Sequence, residues 1–248
     1  MINPPLSPRL YHCLVGDPAT FPVASDSPGL FISRESDTMS EKIFPDHPSI
    51  VLFDPLAQLL GAGDGTFRYT FDDAVKLAGH ACPTVAGAYV MTLRALSTLY
   101  GMESPVRGEI RIRVAGEVDQ GVTGPIGQIF TLITGAAADN GFQGLAGRHA
   151  RKGLLGFGGD PAKGHRFQRG DTGPALFVRY DPSPIPPHDD LQPLMQRVLS
   201  GQPAKADRRR FAALWRERVV AIVEDGGERT VILQREGGGE GADLRSRP

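Results

Sequence analysis

An α+β fold, with an antiparallel or mixed sheet packed against helices, is predicted by three features of the sequence. Val106 to Val118 sets Ile110, Ile112 and Val114 against Glu109, Arg111 and Arg113. That period of two describes a strand with one buried face. Pro83 to Leu99 or Tyr100 instead repeats Ala86, Tyr89, Leu93, Leu96 and Tyr100 along one stripe, as a helix lying on such a sheet does. The 31 glycines and 21 prolines are spread through 248 residues, which calls for many turns and long ordered connections.

In chain order, Pro4, Pro5, Pro8, Pro18, Pro22, Pro28, Pro45 and Pro48 make residues 1–48 an irregular arm around the core, with short apolar islands such as Gly29 to Ile32 and room for one strand. Ile50 to Gly61 reads as a short helix from the spacing of Leu52, Leu56, Leu59 and Leu60, closed by Gly61, Gly63 and Gly65. That glycine cluster reads as a turn rather than a dinucleotide fingerprint, because Thr66 to Thr70 looks extended where a helix should open. Thr70 and Asp73 have capping-box spacing for a helix through Leu77, which Gly79 interrupts. The next helix starts at Pro83, where a missing N–H costs nothing, and stops at Gly101.

A further helix is expected over Pro125 to Ala138, and Ala175 to Tyr180 is read as the last strand of the core. Beyond Pro182, Pro184, Pro186 and Pro187, Leu191, Leu194, Met195, Val198 and Leu199 mark one helix. Phe211, Leu214, Trp215, Val219 and Ile222 mark another over Ala206 to Glu224. Thr230 to Leu233 is a closing strand and Glu236 to Pro248 a frayed tail. The organisation expected is one domain over 1–235: the arm (1–48), a core (50–180) and a helical extension (188–235).

With 40% hydrophobic side chains the chain buries a substantial core without needing disulfides. Its two cysteines, Cys13 and Cys82, are far apart, which fits a reducing compartment, and with no secretory-type segment and no bilayer-length apolar run the expected location is cytoplasmic. Twenty-seven Lys plus Arg against 28 Asp plus Glu leaves no global positive field, so neither nucleic acid nor a membrane is expected as a partner, while a small-molecule ligand stays open. Arg208, Arg209, Arg210, Arg216 and Arg218 give one helix a basic side, but Glu217, Glu224 and Asp225 dilute it and stacking aromatics are not interleaved on its exposed side.

Chemistry concentrates at His80 and Cys82. Two residues apart, they converge only if a turn precedes the helix that Pro83 opens. A thiolate is favoured at a helix N-terminus, and zinc takes that sulfur together with imidazole nitrogen; the same setting also activates a cysteine nucleophile. The plainer alternative makes Cys82 a small buried hydrophobe and His80 a hydrogen-bonder of the turn.

The run Phe71-Asp72-Asp73-Ala74-Val75-Lys76-Leu77-Ala78-Gly79-His80-Ala81-Cys82-Pro83, continued to Tyr89 and followed by Thr134-Gly135 and Arg151-Lys152-Gly153, resembles the FmdE-like family, named after a component of formylmethanofuran dehydrogenase. The resemblance covers about residues 70–180 and implies an α+β domain, with His80 and Cys82 as zinc ligands. This sequence departs from the family pattern in having Ala78 for the first histidine of His-Gly-His and Ala136 for the cysteine of Thr-Gly-Cys, and it lacks the zinc-ribbon cysteines of some members.

With Ala136 in the sulfur position, His149 is the local candidate for a third ligand; its plain reading is a solvent-facing histidine in a basic loop. His12, next to Cys13, and His165 are weaker candidates, and His47 and His188, beside prolines, read as surface residues. Asp119 and Gln128 are candidates to orient an imidazole or bind substrate, or else cap turns. Lys152 either neutralises a substrate anion or belongs with Arg148 and Arg151 to a solvated basic face. The function expected is a zinc-binding protein with a small-molecule pocket, a metal-dependent enzyme among its forms; the alternative is a non-catalytic binding or assembly protein that has lost the metal site. Leu191, Met195, Phe211 and Trp215 offer more apolar surface than a modest sheet covers, so a homodimer is expected.

Overall fold

The computed structural model describes Phe44 and residues 47–237. The expected arm and the last eleven residues therefore lie almost wholly outside the described residues, as do His12 and Cys13. Seven strands and six helices are described: β1 (Ile50–Phe53), α1 (Pro55–Leu59), β2 (Thr66–Tyr69), α2 (Phe71–Ala78), α3 (Pro83–Tyr100), β3 (Ile110–Ala115), α4 (Thr123–Thr134), β4 (Leu155–Gly159), β5 (His165–Arg169), β6 (Ala175–Tyr180), α5 (Leu191–Leu199), α6 (Lys205–Glu224) and β7 (Val231–Arg235).

The main sheet is mixed, in the order β4-β3-β5-β6-β7, with β3 and β4 parallel and the other neighbours antiparallel. β1 and β2 form a separate antiparallel pair. Helices packed against a mixed sheet are the predicted α+β architecture.

β3 turns Ile110, Ile112 and Val114 inward, all buried, and leaves its arginines on the other face. Burial of each such aliphatic side chain contributes about 1.5–3 kcal/mol. α4 lies against β3, while α3 packs on β5, β6 and β7 and is also covered by α2, α4 and α6. Its buried surface is therefore broader than the single stripe in the sequence, running without a break from Val85 to Thr92. Its ends follow the residues: Cys82 caps the start, Pro83 occupies the first turn, and Gly101 closes the helix. The capping box of α2 is present as well, with Asp73 Oδ2 accepting from the Thr70 N–H at 2.7 Å.

Several elements differ from expectation for identifiable reasons. Ile50 to Gly61 is a strand and then a short helix, because the residue before a proline is pushed out of the helical region: Asp54 is extended (φ −117°, ψ 104°) and α1 starts at Pro55. Leu59 and Leu60, part of the expected apolar stripe, are exposed. α4 ends at Thr134 rather than Ala138, since Gly135 is left-handed (φ +73°). β4 and β5 carry no clear strand signal, because glycines at 156, 158 and 159 and the polar run His165–Arg169 mask the two-residue period. The tail is anchored further than expected, Glu236 accepting from Arg166 Nε and Nη2 at 2.8 and 2.6 Å.

Asp54 joins pieces of chain far apart in sequence. Its carboxylate caps α1, accepting from the N–H groups of Leu56 and Ala57, and receives Arg107 Nη1 at 3.0 Å and Arg151 Nη2 at 2.7 Å. Arg107 also donates to the carbonyls of Leu132 and Ile133 in the last turn of α4, and its guanidinium lies 5.5 Å from the Tyr69 ring centroid. Arg151 is only 7% exposed, so it does not belong to a solvated basic face, although Arg148 and Lys152 are exposed. A side chain at Gly108 would overlap the Arg151 guanidinium, which makes glycine part of the arrangement.

Removing one partner of a buried ion pair strands the other charge, so Asp54→Ala is expected to cost about 3–5 kcal/mol in urea denaturation. A loss below about 1 kcal/mol, the range of exposed pairs, would contradict the network's structural role. Burial alone would raise the Asp54 pKa, but the Ala57 N–H and the two guanidiniums outweigh it and hold it below its ordinary value. The contribution is therefore complete above about pH 4 and lost as pH falls through the lower folded value, and Asp54→Asn should remove that part of the acid dependence.

Candidate functional site

The His80–Cys82 turn links α2 to α3. The left-handed Gly79 (φ +73°) ends α2, and the chain then turns directly into the cap of α3. His80 is exposed, and its Nδ1 lies 2.9 Å from the Ala78 carbonyl oxygen. A proton on Nδ1 makes that a hydrogen bond and leaves Nε2 with a lone pair facing outward. Cys82 is a half-buried free thiol whose Sγ accepts from the Val85 N–H at 3.5 Å. The turn is clamped from outside by Trp215 of α6, whose Nε1 donates to the Ala81 carbonyl at 2.8 Å.

Tyr180 of β6, which no motif in the sequence marks, packs beside the first turns of α3. A Cβ at Gly87 would come within 2.6 Å of its ring. Burial raises its pKa, and its hydroxyl has no hydrogen-bond partner among the described residues.

The other candidates scatter. His149 is left-handed (φ 57°) in a loop that also holds Ala146 left-handed (φ 48°). It lines a concavity of about 600 Å³ with Pro55, Gln58, Leu59, Leu145 and Arg148. Asp119 is exposed in the β3–α4 connection, and Lys152 is exposed with its backbone N–H on the Phe142 carbonyl. Among the described residues no three His, Cys, Asp or Glu side chains converge as a metal ion would need. Zinc takes three or four protein donors, so His80 and Cys82 would need further partners to hold it.

Two histidines have evident structural employment. His47, expected at the surface, is half-buried and accepts the first N–H of α2, from Phe71, at 2.8 Å. His165 Nδ1 accepts from the Ala115 N–H at 3.1 Å, and its ring meets Phe130 edge-on.

Gln128 is brought to a second, more apolar concavity. About 620 Å³ opens along the outer side of α4, walled by Leu77, Val118, Leu132, Leu155 and Phe157, with Gln128, Thr131 and Asn140 as polar groups at its lining. Gly127 seats the wall, since a Cβ there would come within 2.9 Å of the Phe157 ring. Cavities of this size, mostly apolar with a few hydrogen-bonding groups, are the usual form of small-molecule sites. Neither a scan against protein-family models nor a search of curated proteins returns a match for this chain.

Burial pushes the His165 pKa down to about 4. Between its unfolded value of about 6.5 and that folded value, the unfolded chain takes up a proton that the folded chain refuses, so stability present above about pH 6.5 is lost as pH falls through this window. His165→Gln should flatten the dependence when denaturation is followed from pH 7 to pH 4, on the order of that window. An unchanged slope would show that the imidazole titrates freely.

Proposed function

We propose that this chain is a small-molecule-binding protein whose ligand lies in the cavity along α4. The observation that carries this reading is the lining itself: five apolar walls with an amide at Gln128, a hydroxyl at Thr131 and a second amide at Asn140. Such a site favours an apolar body bearing a few hydrogen-bonding groups, because burying the amides against a purely aliphatic ligand leaves them unpaired. No described helix is long and apolar enough to cross a membrane.

Naphthol titrated calorimetrically is a suitable probe. Thr131→Trp, which fills the cavity from one wall, should abolish measurable binding, and Gln128→Ala should weaken it by about five- to tenfold, the equivalent of one hydrogen bond. Equal affinity in both variants and the original chain would place the probe elsewhere.

A second reading, zinc at His80 and Cys82, is supported by the hydrogen-bonded Nδ1 of His80, the arrangement that orients a metal-binding imidazole, and by the resemblance to the FmdE-like family. Water or the ligand would complete the shell, and zinc there would act as a Lewis acid. Metal analysis of protein purified without added metal should then give stoichiometric zinc that is lost in both His80→Ala and Cys82→Ala. Metal content unchanged in both would reject those ligands and favour the alternative, a non-catalytic binding or assembly protein that has lost the family's metal site.

Homodimerisation belongs to the same proposal in reduced form. Leu191, Phe211 and Trp215 are used within the chain, packing with Leu194 and Leu214 between α5 and α6. What remains for a partner is Leu199, 76% exposed, and the adjoining Met195. A dimer in sedimentation that dissociates in Leu199→Asp supports it, and a monomer at micromolar concentration opposes it.

A further inference from the structure

The outer face of the main sheet groups three arginines. Arg111 and Arg113 alternate with the buried residues of β3, and the antiparallel register sets Arg166 of β5 directly opposite Arg113. Like charges facing each other across such a pair destabilise it. Two of the three have counter-ions in solvent: Arg111 pairs with Asp171 and Arg166 with Glu236, carboxylates that are 74% and 44% exposed.

Arg113 has no ion pair among the described residues; its Nη1 donates to the Phe157 carbonyl at 2.8 Å. Its seat on β4 depends on glycine. A Cβ at Gly156 would come within 2.7 Å of that Nη1, and one at Gly159 within 3.1 Å of its Cγ. The guanidinium is thus laid along the strand with donors to spare.

All three arginines line one concavity of about 480 Å³, in which Asp139 is the only acid among the described residues. The concavity shares Ala138, Leu155 and Phe157 with the cavity along α4. Among the described residues β4 is an edge strand, so no further strand borders the two spaces on that side.

We propose that this arginine basin is an oxyanion subsite for the ligand of the α4 cavity. The ligand is an apolar body ending in a carboxylate or phosphate monoester. Its head group is held by Arg113 and Arg166, with Arg111 beside them, and its body lies against Phe157. The planar guanidinium fork matches either head group in bidentate fashion. This extends the cavity reading proposed above, and its head-group half is testable without it.

The experiment is a calorimetric and NMR titration of the full chain with inorganic phosphate, naphthol, naphthoate and naphthyl phosphate. It compares the original protein with Arg113→Gln and with Arg113→Lys, which keeps the charge but loses the fork. Phosphate should perturb the amides of 111–113 and 153–157 saturably, and Arg113→Gln should weaken it by about tenfold, as loss of a charge-assisted contact does. Naphthoate or naphthyl phosphate should bind more tightly than naphthol, the larger gain identifying the head group. That gain should vanish in Arg113→Gln and return only partly in Arg113→Lys. Phosphate binding unchanged in Arg113→Gln, or equal affinity for the charged and neutral naphthyl compounds, overturns the subsite. Failure of naphthol alone counts against the cavity reading, whereas a phosphate response lost in Arg113→Gln still supports the anion site.

Discussion

The carboxylate of Asp54 is the point on which the site-bearing half of the fold depends. Only 3% exposed, it receives guanidinium groups from Arg107 and Arg151 while capping α1. Arg107 carries the connection on to the last carbonyls of α4, and Arg151 carries it to the segment that leads into β4. The wall and floor of the α4 cavity are therefore tied to one ion-pair network rather than to apolar packing alone. A buried carboxylate is costly to desolvate, and two cations with a helix N-terminus are the means of offsetting that cost.

The edge strand β4 brings the candidate chemistry together. Phe157 presents its ring to α4 through the gap left by Gly127, while its backbone carbonyl receives Arg113 on the outer face. One residue thus borders both an apolar space and a cationic one. The His80–Cys82 turn, clamped by Trp215 at the start of α3, is the structure's other chemically distinctive place, and it carries two metal-type donors.

Legibility of the fold follows the strength of local signals. α3 is readable end to end because Pro83 and Gly101 punctuate it and its apolar residues are dense; β3 is readable because its alternation is uninterrupted. β4 is not, because the glycines that make room for Arg113 are the same residues that erase a strand pattern. The site is less legible than the fold. His80, Cys82 and Gln128 stand out by motif or position, whereas Arg113, Arg166 and the buried Arg151 read as ordinary surface charge. Their meaning comes from register and from contacts across 97 residues of sequence, as in the pairing of Arg151 with Asp54, which no local pattern encodes.

The edge of β4 is proposed to form a single binding site with an apolar side and a cationic side. A crystal structure of the protein with bound naphthyl phosphate tests it most directly. The naphthyl ring is expected between Leu132 and Phe157 with the phosphate on Arg113 and Arg166, and a ring seated outside the α4 cavity with its phosphate away from both arginines would overturn the site.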